Sequence, residues 1–334
     1  LLIGISTLLT IMMGGLYFIQ GKQGISINII VEFVMYINML TFPVSAIGLT
    51  ASMIQRADAS QKRINEFLRI DPNFSISANF PIAKMENGIL FNTVSFMYPE
   101  SGIKALQNIN LTIHKGERLL IVGKTGSGKT TLLQMLLRFY SPDEGSIFFD
   151  KRDISTYSLQ ELRKKIGYVS QDVFLFSDTI ANNISFGYPS MDFEKIKWAA
   201  SAAFIDKEIE QFPDGYNTQV GERGVTLSGG QKQRISMARA FLLQPELLLL
   251  DDCLSAVDSH TEQEISSFIN HSFHGKTVLL ATHRIPAHFL IDKVIVLENG
   301  QIAEYGQPEY LLSRNSIFKK MLDKQRVEES PRLN

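Results

Sequence analysis

The sequence predicts a multi-domain fold, in which an α-helical transmembrane hairpin is followed by an α/β domain with a largely parallel central sheet. The hairpin is predicted by two long runs without charge, 1–19 and 33–53, joined by a short polar connection. The α/β domain is predicted by short β-branched runs that alternate with helical stretches from about residue 87. A glycine-rich loop between a strand and a helix then indicates which kind of α/β domain this is.

The first apolar run has the length of a membrane span. At about 1.5 Å per residue it would extend about 28 Å, close to the roughly 30 Å of bilayer hydrocarbon. We predict two spans, at about 1–19 and 27–54, with Glu32 near the start of the second and Pro43 inside it. A signal peptide followed by a buried soluble helix is the alternative, but two long runs joined by a tight loop favour a hairpin.

The charges beside the second span predict its orientation. The connecting loop carries only Lys22, whereas the segment 55–69 carries Arg56, Lys62, Arg63 and Arg69, which places that end in the cytosol. The predicted organisation is a membrane part with a cytosolic extension, a linker, an α/β domain and a polar tail, at residues 1–70, 71–86, 87–325 and 326–334. Within the tail, residues 327–334 are expected to be disordered. Since the chain opens with Leu inside an apolar run, we interpret it as a fragment whose start is missing.

The overall composition argues against some classes of protein. The chain has 334 residues, with 33 Lys+Arg against 34 Asp+Glu. It therefore lacks the basic surplus usual in proteins that bind nucleic-acid phosphates. Its single cysteine, Cys253, permits no intrachain disulfide, which fits a reduced, cytosolic setting for the soluble part.

The glycine-rich loop has the residues and the context of a phosphate-binding P-loop. It follows an apolar strand, 118–122, and precedes a helical run, 131–139. Its glycines let successive backbone N–H groups point at phosphate oxygens, and the helix adds its positive N-terminal dipole. Lys129 can reach the β- and γ-phosphates, and Thr130 offers a hydroxyl to Mg²⁺. The candidate nucleotide-binding residues are Gly123, Lys124, Thr125, Gly126, Ser127, Gly128, Lys129, Thr130 and Thr131.

Two acidic residues follow a second apolar strand. Four leucines at 247–250 precede Asp251 and Asp252, so both carboxylates should emerge at the C-terminal edge of the sheet, where α/β folds bind ligands. Asp251 is suited to hold Mg²⁺, and Asp252 is placed to orient or deprotonate an attacking water. A second anion-binding helix start, 227–231, precedes the helical stretch 232–243 and suggests another nucleotide held across an interface.

Leu227-Ser228-Gly229-Gly230-Gln231 resembles the signature motif of the ABC transporter ATPases letter for letter. That resemblance implies an ATPase domain with an α-helical subdomain, bound to ATP and Mg²⁺. It assigns Ser228, Gly229, Gly230 and Gln231 to a second ATP, Tyr98 to the adenine, and Asp258 to the loop 255–258 that also meets nucleotide. It implies Lys129, Gln171, Asp252 and His283 as catalytic residues and Thr130, Gln171 and Asp251 as metal ligands.

The resemblance extends to the N-terminal half of the chain. Val220-Gly221-Glu222-Arg223-Gly224 looks like a short loop that touches the membrane helices in exporters of this family. The chain resembles the last two membrane helices and the motor domain of an exporter half-transporter of the multidrug and lipid export type. This implies ATP hydrolysis coupled to export, a multi-pass protein of the plasma or inner membrane, and a cytoplasmic ATPase domain. Its partners would be the lipid bilayer and a second half-transporter, and its cargo a small molecule, lipid or peptide; no nucleic acid is expected.

One residue departs from the family pattern. The family usually has glutamate, the catalytic base, where this chain has Asp252, which is shorter by about 1.5 Å of reach. We therefore expect slow hydrolysis at this chain's own P-loop and, as a hypothesis, a heterodimer whose other subunit supplies the glutamate; a homodimer that tolerates aspartate is the alternative. Three other functions remain open at this stage: an ATP-gated regulatory protein with little hydrolysis, a soluble ATPase of nucleic-acid metabolism, and an importer subunit. The apolar N-terminal stretch opposes the last two.

Overall fold

The structure, a computed structural model, describes residues 2–69, 85–188, 190, 192–221 and 227–329. It separates the chain into two compact units, Leu1–Ser75 and Ile76–Asn334, and each is described by itself. Most of the predicted linker, residues 222–224 of the predicted membrane-contacting loop, and the last five residues lie outside the described ranges.

The first unit is a helical hairpin. Helix α1 (Leu2–Ile19) packs against α2 (Ile27–Leu68), which continues without a break beyond residue 54 and contains Pro43. At the contact, a Cβ on Gly14 would lie 2.8 Å from Ile30 Cγ1, so the missing side chain lets the helices approach closely. No residue of α2 is buried, which leaves its apolar side chains free to face lipid or other helices.

Only one of the two predicted spans meets the usual length for crossing a bilayer. Among the described residues, α2 is long and apolar enough, whereas the apolar stretch Ile3–Ile19 is shorter than the customary 18 residues. The length and composition of α2 therefore agree with the predicted second span, whereas the first span, α1, stays a prediction.

The second unit contains two sheets. Their strands are β1 (Gly88–Met97), β2 (Lys104–His114), β3 (Arg118–Val122), β4 (Glu144–Phe149), β5 (Arg152–Asp153), β6 (Ile166–Val169), β7 (Leu247–Asp251), β8 (Thr277–Thr282), β9 (Lys293–Glu298) and β10 (Gln301–Gly306). An antiparallel four-stranded sheet has the order β2-β1-β4-β5, and a six-stranded sheet has the order β10-β9-β3-β8-β7-β6. Only the β9–β10 pair of the larger sheet is antiparallel, which confirms the predicted largely parallel sheet.

The helices of this unit lie between and after these strands. They are α3 (Lys129–Leu136), α4 (Leu159–Lys164), α5 (Ile180–Ile184), α6 (Phe193–Ala202), α7 (Asp206–Ile209), α8 (Gly229–Leu242), α9 (Ser259–Ser272), α10 (Pro308–Leu312) and α11 (Ile317–Glu329). Helices α5 to α8 fall between β6 and β7 and form the helical part, in which α6 packs on α8.

The central strands of the larger sheet, β3, β7 and β8, are buried on both faces, which explains their continuous apolar sequences. Along β7, Leu248 and Leu250 belong to one core cluster, whereas Leu247 and Leu249 belong to the other. Since successive strand residues point to opposite faces, the four leucines fill both layers at once. This burial fixes β3 and β7 side by side with β8 and brings their C-terminal ends to one edge.

The predicted tail is wrong in its first residues, because α11 continues to Glu329 instead of ending before 326. Ile317 N and Phe318 N donate to the Glu304 carboxylate at 2.7 and 3.0 Å, which satisfies two of the donors that a helix start leaves open. The Phe318 side chain is 2 % exposed. This anchoring supports a helix that the polar sequence alone does not indicate.

Candidate nucleotide-binding and catalytic site

The loop between β3 and α3 forms a cradle of backbone groups. Gly128 has a φ of 101°, and a Cβ there would lie 2.4 Å from Ala105 O; a Cβ on Gly123 would lie 2.3 Å from Leu297 O. The backbone therefore curls where only glycine fits. Within the loop, the Ser127 hydroxyl is buried and has no hydrogen-bond partner among the described residues. The cradle thus combines the start of a helix with an unused hydroxyl, and both suit a phosphate group.

Lys129 lies inside this cradle and is only 6 % exposed. Its Nζ donates to Gly123 O at 2.8 Å and to Lys124 O at 3.1 Å, and it lies 3.4 Å from His283 Nδ1. Burial lowers the pKa of the Lys129 ammonium, and the carboxylates of Asp252 and Asp251 partly oppose that shift. The structure therefore brings together two of the predicted catalytic side chains, Lys129 and His283.

Thr130 and Asp251 form the second half of the site. Thr130 Oγ1, in the first turn of α3, donates to Asp251 Oδ1, at the end of β7, at 3.1 Å. Asp251 is 1 % exposed. Burial raises the pKa of Asp251, although the bond from Thr130 acts in the opposite direction. A hydroxyl and a carboxylate are ligands that Mg²⁺ prefers, so this pair fits the predicted metal position.

The third predicted metal ligand is not assembled with the other two. Gln171 is exposed, and among the described residues no hydrogen bond joins it to Thr130 or Asp251. Within those residues there is also no cluster of three or more His, Cys, Asp or Glu side chains. Because Mg²⁺ usually keeps several waters and takes one or two carboxylates, a sparse protein shell suits it better than Zn²⁺.

Tyr168 is a site residue that the sequence did not reveal. Its hydroxyl lies 3.5 Å from Asp251 Oδ2, on β6 beside β7. Burial, followed by the Asp251 charge, raises the pKa of Tyr168 well above its ordinary value, so it remains a neutral donor. A tyrosine in a buried strand carries no motif, and only the pairing of β6 with β7 shows that it faces the Asp251 carboxylate, at the predicted metal position.

Asp252 begins the loop after β7 in a left-handed conformation, with a φ of 45°. Its N–H donates to Ala281 O at 2.7 Å, and its Oδ1 accepts a bond from Thr282 Oγ1 at 3.2 Å. Ser255 Oγ donates to Asp252 O at 2.8 Å. The carboxylate of the candidate base is thereby held towards the end of β8, and His283 is the residue that follows this strand.

Tyr98 lies beside the first turn of α3. Its hydroxyl is 2.9 Å from Thr131 Oγ1, and its ring packs edge-on against Phe96 and Tyr140, with centroids 5.1 and 5.3 Å apart. The ring is half-buried. An aromatic surface linked to the first turn of α3 is suited to stack on a planar base.

The predicted second anion site is at the start of α8. Ser228 Oγ accepts from Gln231 N at 3.2 Å, and Gln231 Oε1 accepts from Ser228 N at 2.9 Å, which forms a capping box. Gln231 also donates to Glu208, which pairs with Arg234 at 2.6 Å. No hydrogen bond connects these residues with the P-loop within the described chain. The helix start has open space around Gly229, and its role as an anion site stays a prediction.

Asp258 serves a structural role in this structure. It caps α9 by accepting a bond from Thr261 N at 3.0 Å, and the bonds from Thr261 lower the pKa of its carboxyl. The neighbouring Ala256 O would lie 3.1 Å from a Cβ on Gly230. The loop 255–258 therefore adjoins the start of α8, and the nucleotide role of Asp258 stays a prediction.

An open cleft of about 810 Å³ borders the P-loop. It is lined on one side by Gly123, Lys124, Thr125 and His283, and on the other by residues of α11. The sequence did not predict any role for α11, because no motif marks it. The α11 residues that line the cleft are Met321, Lys324, Gln325 and Glu328.

Comparison of the sequence with known proteins found a matching family model and similar proteins. Residues 106–255 match the family model described as ABC transporter. The chain is 40 % identical over 327 residues to the probable multidrug resistance ABC transporter ATP-binding/permease protein YheI of Bacillus subtilis, covering 98 % of this chain and 56 % of that protein. It is 36 % identical to the multidrug resistance-like ATP-binding protein MdlA of Escherichia coli, covering 98 % of this chain and 55 % of that protein.

A solved structure shows the same arrangement of elements. A bacterial Atm1-family ABC exporter with ATP bound superposes with a TM-score of 0.77 at 30 % identity, covering 98 % of this chain and 56 % of that one. The chain thus spans about half the length of the relatives that it matches. The similarity includes both the helical N-terminal unit and the α/β unit.

Proposed function

Because this chain contains an ATP-binding domain of the ABC transporter family, we propose that it is the ATP-hydrolysing part of an exporter subunit. In this proposal ATP hydrolysis drives the movement of a substrate across a membrane. The observation that carries the proposal is the cradle in which buried Lys129 lies beside His283 while Thr130 bonds Asp251. The presence of the long apolar helix α2 in the same chain supports the coupling to a membrane.

The residues of the cradle each have a role in phosphoryl transfer. Lys129 Nζ donates to two loop carbonyls, and phosphate oxygens of ATP would take over these bonds. Thr130 and Asp251 would hold Mg²⁺, which neutralises charge on the phosphates when it is bound. Asp252 would take the proton of the attacking water, and His283 would hold the transferred phosphate. Gln171 would join the metal shell from the loop after β6.

The separate helix start at Ser228 supports action as a pair of motor domains. A helix start that makes no hydrogen bond to the chain's own P-loop within the described residues would be free for ATP held by a second domain. ATP bound at both faces would favour the closed pair, because each triphosphate adds contacts only in that state. Loss of phosphate would then reopen the pair of motor domains and change the conformation of the attached membrane helices.

We further propose that the site at this chain's own P-loop is slow and that the partner is a different half-transporter. Asp252 is short for a general base, and Thr282 already holds its carboxylate. The capping box that orders the start of α8 is intact, so this chain could complete a faster site on its partner. A multi-pass protein of the plasma or inner membrane, with the ATPase domain in the cytoplasm, follows from the same proposal.

The test is Lys129→Ala in the assembled, membrane-embedded protein. Loss of the ammonium removes the group that meets the β- and γ-phosphates, so we expect MgATP turnover and ATP-dependent transport into vesicles both to be abolished. Lys115→Ala, which removes an exposed lysine, is the matched control and should retain both. Unchanged turnover in Lys129→Ala would overturn the proposed ATPase, whereas Lys129-dependent turnover without any transport would favour an ATP-gated regulatory protein.

A further inference from the structure

We propose that Gln325 of α11 is a positioning residue that fixes the loop carrying His283 against the P-loop. This inference rests on the proposed function, since it assigns a further residue to the same site. Its starting point is a two-bond contact between one side chain and one backbone residue. Ile285 N donates to Gln325 Oε1 at 2.9 Å, and Gln325 Nε2 donates to Ile285 O at 3.1 Å.

This contact holds the loop at one end, and β8 holds it at the other. Thr282 is the last residue of β8 and pairs with Val122, at the end of β3. Its Oγ1 accepts from Arg284 N at 3.1 Å. His283 therefore lies between two fixed points, the strand end and the Gln325 contact two residues later. A loop this short has little freedom once both ends are held.

Helix α11 is rigid enough to act as the fixed point. Glu304 on β10 accepts from the first two N–H groups of the helix, and Phe318 is buried in the core. Met321 and Leu322 pack against the same core. Gln325 follows about two turns after this anchor, so its amide is carried on a helix whose preceding turns are attached to the domain.

Gln325 lies in the cleft beside the proposed catalytic residues. Gln325 lines the same cleft as Gly123 and His283, and the His283 ring is 3.4 Å from the Lys129 ammonium. A displacement of about 1 Å in a group that acts on the reacting atoms can cost on the order of 100-fold in rate. Release of Ile285 would permit such a displacement, whereas the P-loop and the adenine-binding face would remain as they are.

The inference predicts an effect on turnover rather than on nucleotide binding. Gln325→Met keeps the length of the side chain and its helix propensity but removes both hydrogen bonds. Gln325→Glu keeps an acceptor for Ile285 N and removes the donor to Ile285 O, so it should be intermediate. Lys320→Ala changes an exposed residue of the same helix and serves as the control.

The variants are compared in the assembled transporter, in an Asp252→Glu background that is expected to raise turnover at this chain's own cleft. We expect Gln325→Met to lower kcat about tenfold, with KM for MgATP within about twofold of the parent and with an unfolding temperature like that of Lys320→Ala. Gln325→Glu should recover part of kcat. A parental kcat in Gln325→Met, or a fall in kcat accompanied by an equal loss of nucleotide affinity and thermal stability, overturns the positioning role. Lys129→Ala distinguishes failure of the positioning role from failure of the proposed ATPase function. Turnover that survives Lys129→Ala overturns the ATPase proposal itself.

Discussion

Replacement of Asp252 by glutamate tests how reach limits the rate at this site. Asp252 Oδ1 lies 3.2 Å from Thr282 Oγ1, so the carboxylate is tied back to the sheet edge. Glutamate extends the carboxylate by about 1.5 Å, and a general base must come within about 2.6–3.2 Å of its proton donor. Since general-base catalysis contributes about 10²–10⁴-fold, we expect Asp252→Glu to raise MgATP turnover at least about tenfold.

The backbone predicts a second effect of the same substitution. Position 252 has a φ of 45°, and the left-handed region costs most L-residues about 1–2 kcal/mol, with Asp and Asn as the tolerated exceptions. The longer glutamate side chain loses that local advantage. Asp252→Glu should therefore lower the free energy of unfolding by about 1 kcal/mol while it raises activity.

The assay uses the subunit expressed without a different partner, with turnover and denaturant unfolding measured on the same preparations. Asp252→Asn is the matched control, because it keeps the tolerance for positive φ and removes the base. We expect turnover to rise in the order Asn, Asp, Glu. Equal turnover in all three would refute the argument from reach, and fast parental turnover that Asp252→Glu leaves unchanged would count against the slow site and the heterodimer.

Two further substitutions test the local geometry. Gly128→Ala places a Cβ 2.4 Å from Ala105 O at positive φ and should cost about 1–3 kcal/mol of stability; Gly126→Ala, with open space at its Cβ, should cost less, and equal urea midpoints would refute the clash. At Glu246, burial alone raises the pKa, but the bonds from Met85 N and Lys165 outweigh it and leave the pKa lowered. The stabilisation is therefore present above about pH 4.5 and is lost as pH falls through the lowered pKa. The unfolding free energies of the parent and Glu246→Gln should converge in acid, and a difference that does not depend on pH would contradict this reasoning.

The sequence by itself determined those parts of the structure that depend on residues adjacent in the chain. The glycine spacing at 123–128, the apolar strands before and after it, and the carboxylates that follow 247–250 are local patterns with one favourable structure each. They predicted the parallel sheet and most of the cradle. Local pattern also misled at the tail, since the polar residues after 325 gave no sign that buried Phe318 would hold α11 as a helix to Glu329.

The tertiary structure decided which distant groups meet. Lys129 and His283 are 154 residues apart in the chain, Tyr168 and Asp251 are 83 apart, and Ile285 and Gln325 are 40 apart. These contacts arise because the burial of β3, β7 and β8 on both faces fixes their order, and no repeat or spacing in the chain encodes that order. The sequence alone therefore predicted the residues of the cradle, whereas packing decided the position of His283 and its distance from Lys129.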